Sequence, residues 1–195
     1  VKLTLADIVD QRAYERERED FRQQVIALKA VRRIPIGPLV TVVAENATTF
    51  QIQEMARAEK MSTDEQIEVE LATYNPLIPD DGVISLTLFL ELTNEAALRE
   101  WLPRLVGIER SVVLVLGEGS DELVVRASVD PEHAAQLTRE EITASVHYVR
   151  IELDEVARAR FTAGPAALGI DHDAYRHSTP LSDETRASIA ADWAG

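Results

Sequence analysis

The segment Ile84–Leu92 alternates strictly, with Ile84, Leu86, Leu88, Leu90 and Leu92 on one face of an extended chain. A two-residue period sends successive side chains to opposite faces, so this stretch is a strand with one face against a core, not an amphipathic helix. The rest of the chain has to supply that core. Leu39–Ala44 reads as a buried strand, Glu45-Asn46-Ala47 as a turn, and Thr48–Gln53 as the returning arm of a hairpin. Ser111–Gly117 is apolar on both faces, as in a central strand. The loop GEGSD turns it into Glu122–Val129, with Leu123, Val125, Ala127 and Val129 inward. Ser145–Leu153 and Ala167–Asp171 complete the set.

Helices fill the intervals. Thr4-x-x-Asp7 reads as a helix start, and Tyr14, Phe21, Val25 and Leu28 recur at helical spacing toward Arg33, where Pro35-x-Gly37-Pro38 stops the helix. Ser62-x-x-Glu65 is a capping box for a short helix with Ile67, Leu71 and Tyr74 inward, closed by Asn75-Pro76. Thr93 opens a helix to Leu105 in which Pro103 shortens the last turn. Asp130-Pro131 starts another through Leu137, Asp154 caps one to Phe161, and Leu181-Ser182 opens the last.

These elements read as one α+β domain, a mostly antiparallel sheet with helices packed on it. Its parts are an N-terminal helix at 4–33, a hairpin and helix at 39–75, an α+β core at 84–153 and a β/α tail at 154–195. Within 84–153 the order strand, helix, strand, strand, helix, strand is that of a ferredoxin-like split βαβ core.

Several function classes drop out. The chain has no cysteine, which excludes a thiolate zinc site, a cysteine nucleophile and an iron–sulfur cluster held by this chain alone. The first 20 residues are heavily charged and lack a signal-peptide apolar region, and no apolar run approaches a membrane span, so a cytoplasmic protein is expected. Residues 1–33 carry eight basic and six acidic side chains, +2, which leaves −16 on the remainder of a chain of net charge −14. That acidic body repels nucleic acid. A basic helix beside it suits a partner or a second copy in a homodimer, although solubility alone accounts for the excess charge.

No standard catalytic motif is present: GEGSDE leads into a strand and is a hairpin loop, and there is neither H-E-x-x-H nor G-x-S-x-G. The densest polar set is Gln51, Gln53, Glu54, Arg57 and Glu59, of which Gln51, Gln53, Glu54 and Arg57 are the partner-binding candidates. On a strand, Gln51 and Gln53 share the face opposite Phe50 and Ile52, and Glu54 turns onto the apolar face; on a helix it does not. His133 reads as exposed on the first turn of its helix. His147 falls on the apolar face of its strand with Val149, Ile151 and Leu153, where a single hydrogen bond ordinarily satisfies a histidine. Asp171-His172-Asp173, followed by His177, reads as a polar turn. Two carboxylates flanking an imidazole are also a divalent-metal donor set, and Glu54, His147, Asp171 and His172 are the metal candidates if the fold brings them together.

The blocks KLTLADI, RAYERER, FQIQEMARAE, YNPLIP, LREWLPRLVGIE, AAQLTREEITASVHYVR and DHDAYR carry a full-length resemblance to an uncharacterised bacterial family, a domain of unknown function. The resemblance brings no catalytic residues. It implies a neighbourhood, since genes of that family often lie beside a rubrerythrin and a cysteine-rich iron–sulfur oxidoreductase. The leading expectation is therefore an accessory or interaction protein of such redox partners. The alternative is a metal-binding protein or enzyme with a dispersed His/Asp/Glu site, and a third reading is a small-ligand fold with Trp101 in its pocket.

Overall fold

The alternating segment forms β3 (Val83–Leu90) inside a four-stranded antiparallel sheet of order β1-β2-β3-β6, with β1 at Arg33–Ile36, β2 at Val40–Ala44 and β6 at Val146–Glu152. A second antiparallel sheet has the order β5-β4-β7-β8, from β4 (Val112–Leu116), β5 (Leu123–Arg126), β7 (Ala166–His172) and β8 (Tyr175–Pro180). The computed structural model describes residues 2–46, 49–75, 78–129 and 141–193. The α+β class follows directly from the two sheets and the helices around them.

The two sheets face one another over a shared core that includes Ile36, Val42, Leu88, Leu114, Ile151 and Leu168. Both seams between them are joined. On one side Ser128 and Arg150 exchange backbone hydrogen bonds of 2.7 and 2.8 Å, linking the end of β5 to β6. On the other, Tyr175 Oη donates to the Ile36 carbonyl at 2.6 Å and Thr179 Oγ1 to the Pro35 carbonyl at 2.5 Å, linking β8 to β1. Joined edges leave few unpaired strand groups for another chain to add to. Gly37 turns β1 into β2 at φ +67°, and a Cβ there would lie 2.5 Å from His177 Cγ and 2.6 Å from Tyr175 Oη. Both the backbone conformation and the close approach across the seam require glycine.

This arrangement corrects the split βαβ reading. β3 pairs with β6 and β4 with β5 and β7, so the strands of 84–153 are divided between two sheets. Element order is compatible with several pairings, and long-range pairing chose another one.

Four local expectations also change. The Thr4–Asp7 box closes only a 3-10 turn, Leu5–Asp7; the chain is extended at Ile8, and α1 (Gln11–Val31) starts from a second cap. Asp10 Oδ1 there accepts the Arg12 and Ala13 amides at 2.9 and 3.2 Å. Arg33 already belongs to β1, whose Ile34 and Ile36 point inward, while Pro35 sits on a strand at the sheet edge. Of the arm expected at Thr48–Gln53, the described residues 49–53 do not return beside β2, because β1 and β3 occupy its two edges, and they belong instead to α2 (Thr49–Ala58). The polar stretch after Asp171 holds a strand: β7 and β8 form a hairpin with Asp173 and Ala174 between the paired His172 and Tyr175. Only Tyr175 of β8 is fully buried, so the strand lacks the apolar alternation that would announce it.

The remaining helices agree with the reading to within a residue or two. α3 (Asp64–Tyr74) is capped by Thr63, with Gln66 completing the box, in place of Ser62 and Glu65. α4 (Glu95–Arg104) starts at Asn94 in place of Thr93. α5 (Glu155–Ala163) is capped by Asp154, and α6 (Asp183–Ala190) by Ser182. The helix expected over Asp130–Leu137, with His133, lies outside the described residues. No helix among the described residues is long and apolar enough to cross a membrane.

Candidate functional site

The polar cluster of the sequence lies on α2, where a period of 3.6 replaces the expected period of two and turns Glu54 toward α1. Tyr14 and Arg18 are one turn apart on α1 and both reach it. Tyr14 Oη donates to Glu54 Oε1 at 2.5 Å, and Arg18 forms a fork of Nε to Oε1 at 2.6 Å and Nη2 to Oε2 at 2.9 Å. Arg57, three residues along α2, adds a longer bond of 3.3 Å to Oε2.

These donors, Arg18 foremost, hold the Glu54 carboxyl at about 2 against burial, which works in the opposite direction; its ordinary value is 4.5. The Tyr14 hydroxyl is raised by burial and by its bond to Glu54. A carboxylate ionised throughout the neutral range neither gives nor takes a proton there, so Glu54 is a structural ion joining α1 to α2. A depressed carboxyl stabilises the fold above its unfolded value of 4.5, and the contribution is lost as pH falls toward 2. With 23% of the side chain still exposed, solvent screening reduces the effect to on the order of 1–2 kcal/mol. Glu54→Gln is therefore expected to be less stable than the parent by that amount at pH 7, with the gap cut to roughly half at pH 3 on its way to closing toward pH 2. Urea unfolding at both values checks this, and a pH-independent gap would contradict it.

Beside this network a cleft of about 370 Å³ opens between the N-terminal segment, the start of α1, α2 and the loop into α3. Its walls include Ile8, Ala56, Met61 and Ile67. Asn75 clamps the N-terminal segment to the end of α3 through both of its amide atoms, accepting from Leu3 N at 2.8 Å and donating to Leu3 O at 2.9 Å. Gln53 lines the cleft and is only 4% exposed. It therefore turns into the cleft and not out toward a macromolecular partner. Gln51 lies on the same helix, its side chain outside what the structure describes.

The metal candidates are not brought together, and among the described residues no group of three His, Cys, Asp or Glu is placed to hold an ion. Glu54 is committed to α1. Asp171 pairs with Arg126 at 2.9 Å and Arg176 at 3.4 Å, and the Arg126 bond chiefly holds its carboxyl below the usual range. His172 uses both ring nitrogens in the hairpin: Nδ1 accepts from Ala174 N at 3.1 Å and Nε2 donates to the Val106 carbonyl at 3.0 Å. His147 is buried, with Nε2 donating to the Ala144 carbonyl at 2.9 Å and 2.9 Å from Thr143 Oγ1. Burial lowers its pKa, opposed by the charge of Glu109.

Sequence reasoning missed three residues here. Tyr14 reads only as one inward position of a helical stripe and Arg18 carries no signal of its own, and only the packing of α1 on α2 unites them at Glu54. Glu109 carries no signal of its own in the sequence, yet it is 1% exposed, and among the described residues its carboxylate accepts no hydrogen bond and has an ion pair with Arg110 at 3.6 Å. No local pattern marks a charge that tertiary packing will bury.

No curated protein matches the chain. Among solved structures, the crystal structure of a novel protein of unknown function from Burkholderia pseudomallei is similar to it, with 34% identity, a TM-score of 0.82, and coverage of 98% of this chain and 99% of that one. A family described as a protein of unknown function, DUF3501, matches residues 2–193, which agrees with the full-length resemblance carried by the sequence blocks. The chain belongs to the DUF3501 family.

Proposed function

We propose that this protein is an accessory factor that docks a redox partner of the rubrerythrin or iron–sulfur type through the outer face of α1. The observation that carries the reading is the disposition of that helix. Over 21 residues, Tyr14 and Val25 alone are fully buried, and the outer face presents Arg12, Glu15, Arg16, Glu19 and Arg22 to solvent. The other elements of the protein carry the excess of acidic charge. A mixed-charge face beside an acidic body favours partner choice and encounter rate over tight burial. The redox character of the partner rests on the gene neighbourhood that the family resemblance implies.

Isolation of the protein from its native host should bring down an iron-containing protein, identified by elemental analysis and visible absorption. The triple variant Arg12→Glu, Arg16→Glu, Arg22→Glu should recover about tenfold less of it, because charge reversal opposes encounter at that face. Recovery of the chain alone, or equal recovery by the variant, would overturn the reading.

A second reading, metal binding or acid–base chemistry at His147, is favoured by one observation. Among the described residues the buried Glu109 carboxylate has no hydrogen-bond partner, only a 3.6 Å ion pair with the exposed Arg110, and it acts electrostatically on His147. If this pair serves a metal, zinc added to the purified protein binds at one equivalent and His147→Ala abolishes binding. Absence of binding to the parent protein would end this reading.

A further inference from the structure

The cleft beside α2 holds an unused recognition pair. Gln53 and Arg57 are one turn apart and therefore on one face of α2. Gln53 is 4% exposed and lines an open cavity, and its amide makes no hydrogen bond among the described residues. Buried amides in folded proteins are almost always bonded, and one facing a cavity is ready for a ligand. Arg57 gives a second, independent indication. Its Nε is shielded and has no acceptor among the described residues. Its other contacts are long, 3.3 Å to Glu54 and 4.0 Å to Glu15. Glu54 is already held by the Arg18 fork at 2.6 and 2.9 Å, so Arg57 is not required to hold it and its guanidinium lines the cleft.

The chemistry of these groups selects the ligand. An amide and a guanidinium lining one cleft one turn apart supply the neutral and the cationic N–H donors that the two oxygens of a planar carboxylate accept. The Ile8, Ala56, Met61 and Ile67 walls suit an apolar body, and the volume is at the small end of ligand sites. Asp10 and Asp64 also line the cleft, and they would repel a second negative charge, which disfavours dicarboxylates and phosphates. We propose that this cleft binds a small monocarboxylate with a compact apolar body, its carboxylate held by Gln53 and Arg57. This site is separate from the outer face of α1 and does not depend on the docking reading.

Titration of the nitrogen-15-labelled full chain with hexanoate, followed by two-dimensional NMR, tests the proposal. Saturable shifts are expected at the Gln53 side-chain amide and the Arg57 Nε–H, with none from hexylamine or hexanol. Gln53→Leu and Arg57→Met should each weaken hexanoate binding by about tenfold or more, as expected for loss of a charge-assisted hydrogen bond. Gln53→Leu replaces an unpartnered buried amide by an apolar group, so it should melt no lower than the parent and its weaker binding is not unfolding. No saturable shift with hexanoate, equal shifts with hexanol, or unchanged binding by Gln53→Leu would each overturn the proposal. The parent titrations with acid, alcohol and amine decide it even if a variant does not fold.

Discussion

Replacing Asp192 by alanine should lower the unfolding free energy by about 3 kcal/mol, the cost of leaving a buried charge without its counter-ion. Arg32, just past α1, is 2% exposed and sends its guanidinium to the C-terminal turn at Ala191–Trp193. Nη1 and Nη2 donate to the two Asp192 oxygens at 2.7 and 2.9 Å, Nε donates to Ser188 Oγ at 2.9 Å, and Nη2 also donates to the Ser188 carbonyl. The asymmetry between partners decides which substitution hurts more. Asp192 is 22% exposed, so water can solvate it if Arg32 is removed, whereas Arg32 has no such recourse. Arg32→Met, which keeps apolar volume, should therefore cost clearly less than Asp192→Ala. Adding Arg32→Met to Asp192→Ala should recover part of the loss, since an apolar replacement for a buried pair is often nearly neutral. Urea unfolding of the two single variants and the double variant measures this. A loss below about 1 kcal/mol for Asp192→Ala would mean that the pair is solvated and weak.

Phe161→Ala should be at least as damaging, at roughly 3–5 kcal/mol, because it removes a large ring from a site that cannot collapse. Phe161 is 0% exposed on α5 and packs on Trp193, with ring centroids 5.4 Å apart. Trp193 is itself fixed by its indole N–H to the Val83 carbonyl at 3.2 Å. A ring held in place from its polar end has little freedom to fill the cavity. At about 2–4 °C per kcal/mol for a chain of this size, the melting temperature should fall by roughly 6–20 °C. Phe161→Leu, which keeps most of the volume, should lose far less. If Phe161→Ala melts within about 3 °C of the parent, the Phe161–Trp193 contact is not a core contact in solution.

Neither pair is visible in the linear order. Arg32 and Asp192 are 160 residues apart, and nothing in the residues beside Arg32 marks it for burial. The β8 strand was illegible for a related reason. An edge strand with one inward side chain has no alternation, and Arg176, His177 and Ser178 resemble a loop until β7 pairs with them. The α2 helix was misread in the other direction: Phe50 and Ile52 alternate with Gln51 and Gln53 over a span too short to separate the two periods. The neighbouring Glu54 illustrates what followed. Its identity as a functional polar residue was legible, but its partners Tyr14 and Arg18 were not.

Where burial on one face repeats along a segment, local pattern was sufficient. The β3 alternation, the inward stripe of α1, the Asp154 cap and the two-sided apolar β4 all stand where the residues put them, because each follows from side-chain period or from a cap reaching its own backbone. Strand pairing, the two joined seams, the burial of Glu109 and the convergence of Tyr14, Arg18, Glu54 and Arg57 depended on the packed chain. These are contacts between distant residues, and their free energy exists only after the chain has closed on itself. The cleft belongs to that second group. A glutamine at position 53 was visible from the start, but an amide without a partner facing a cavity is a property of three helices meeting and not of any one of them.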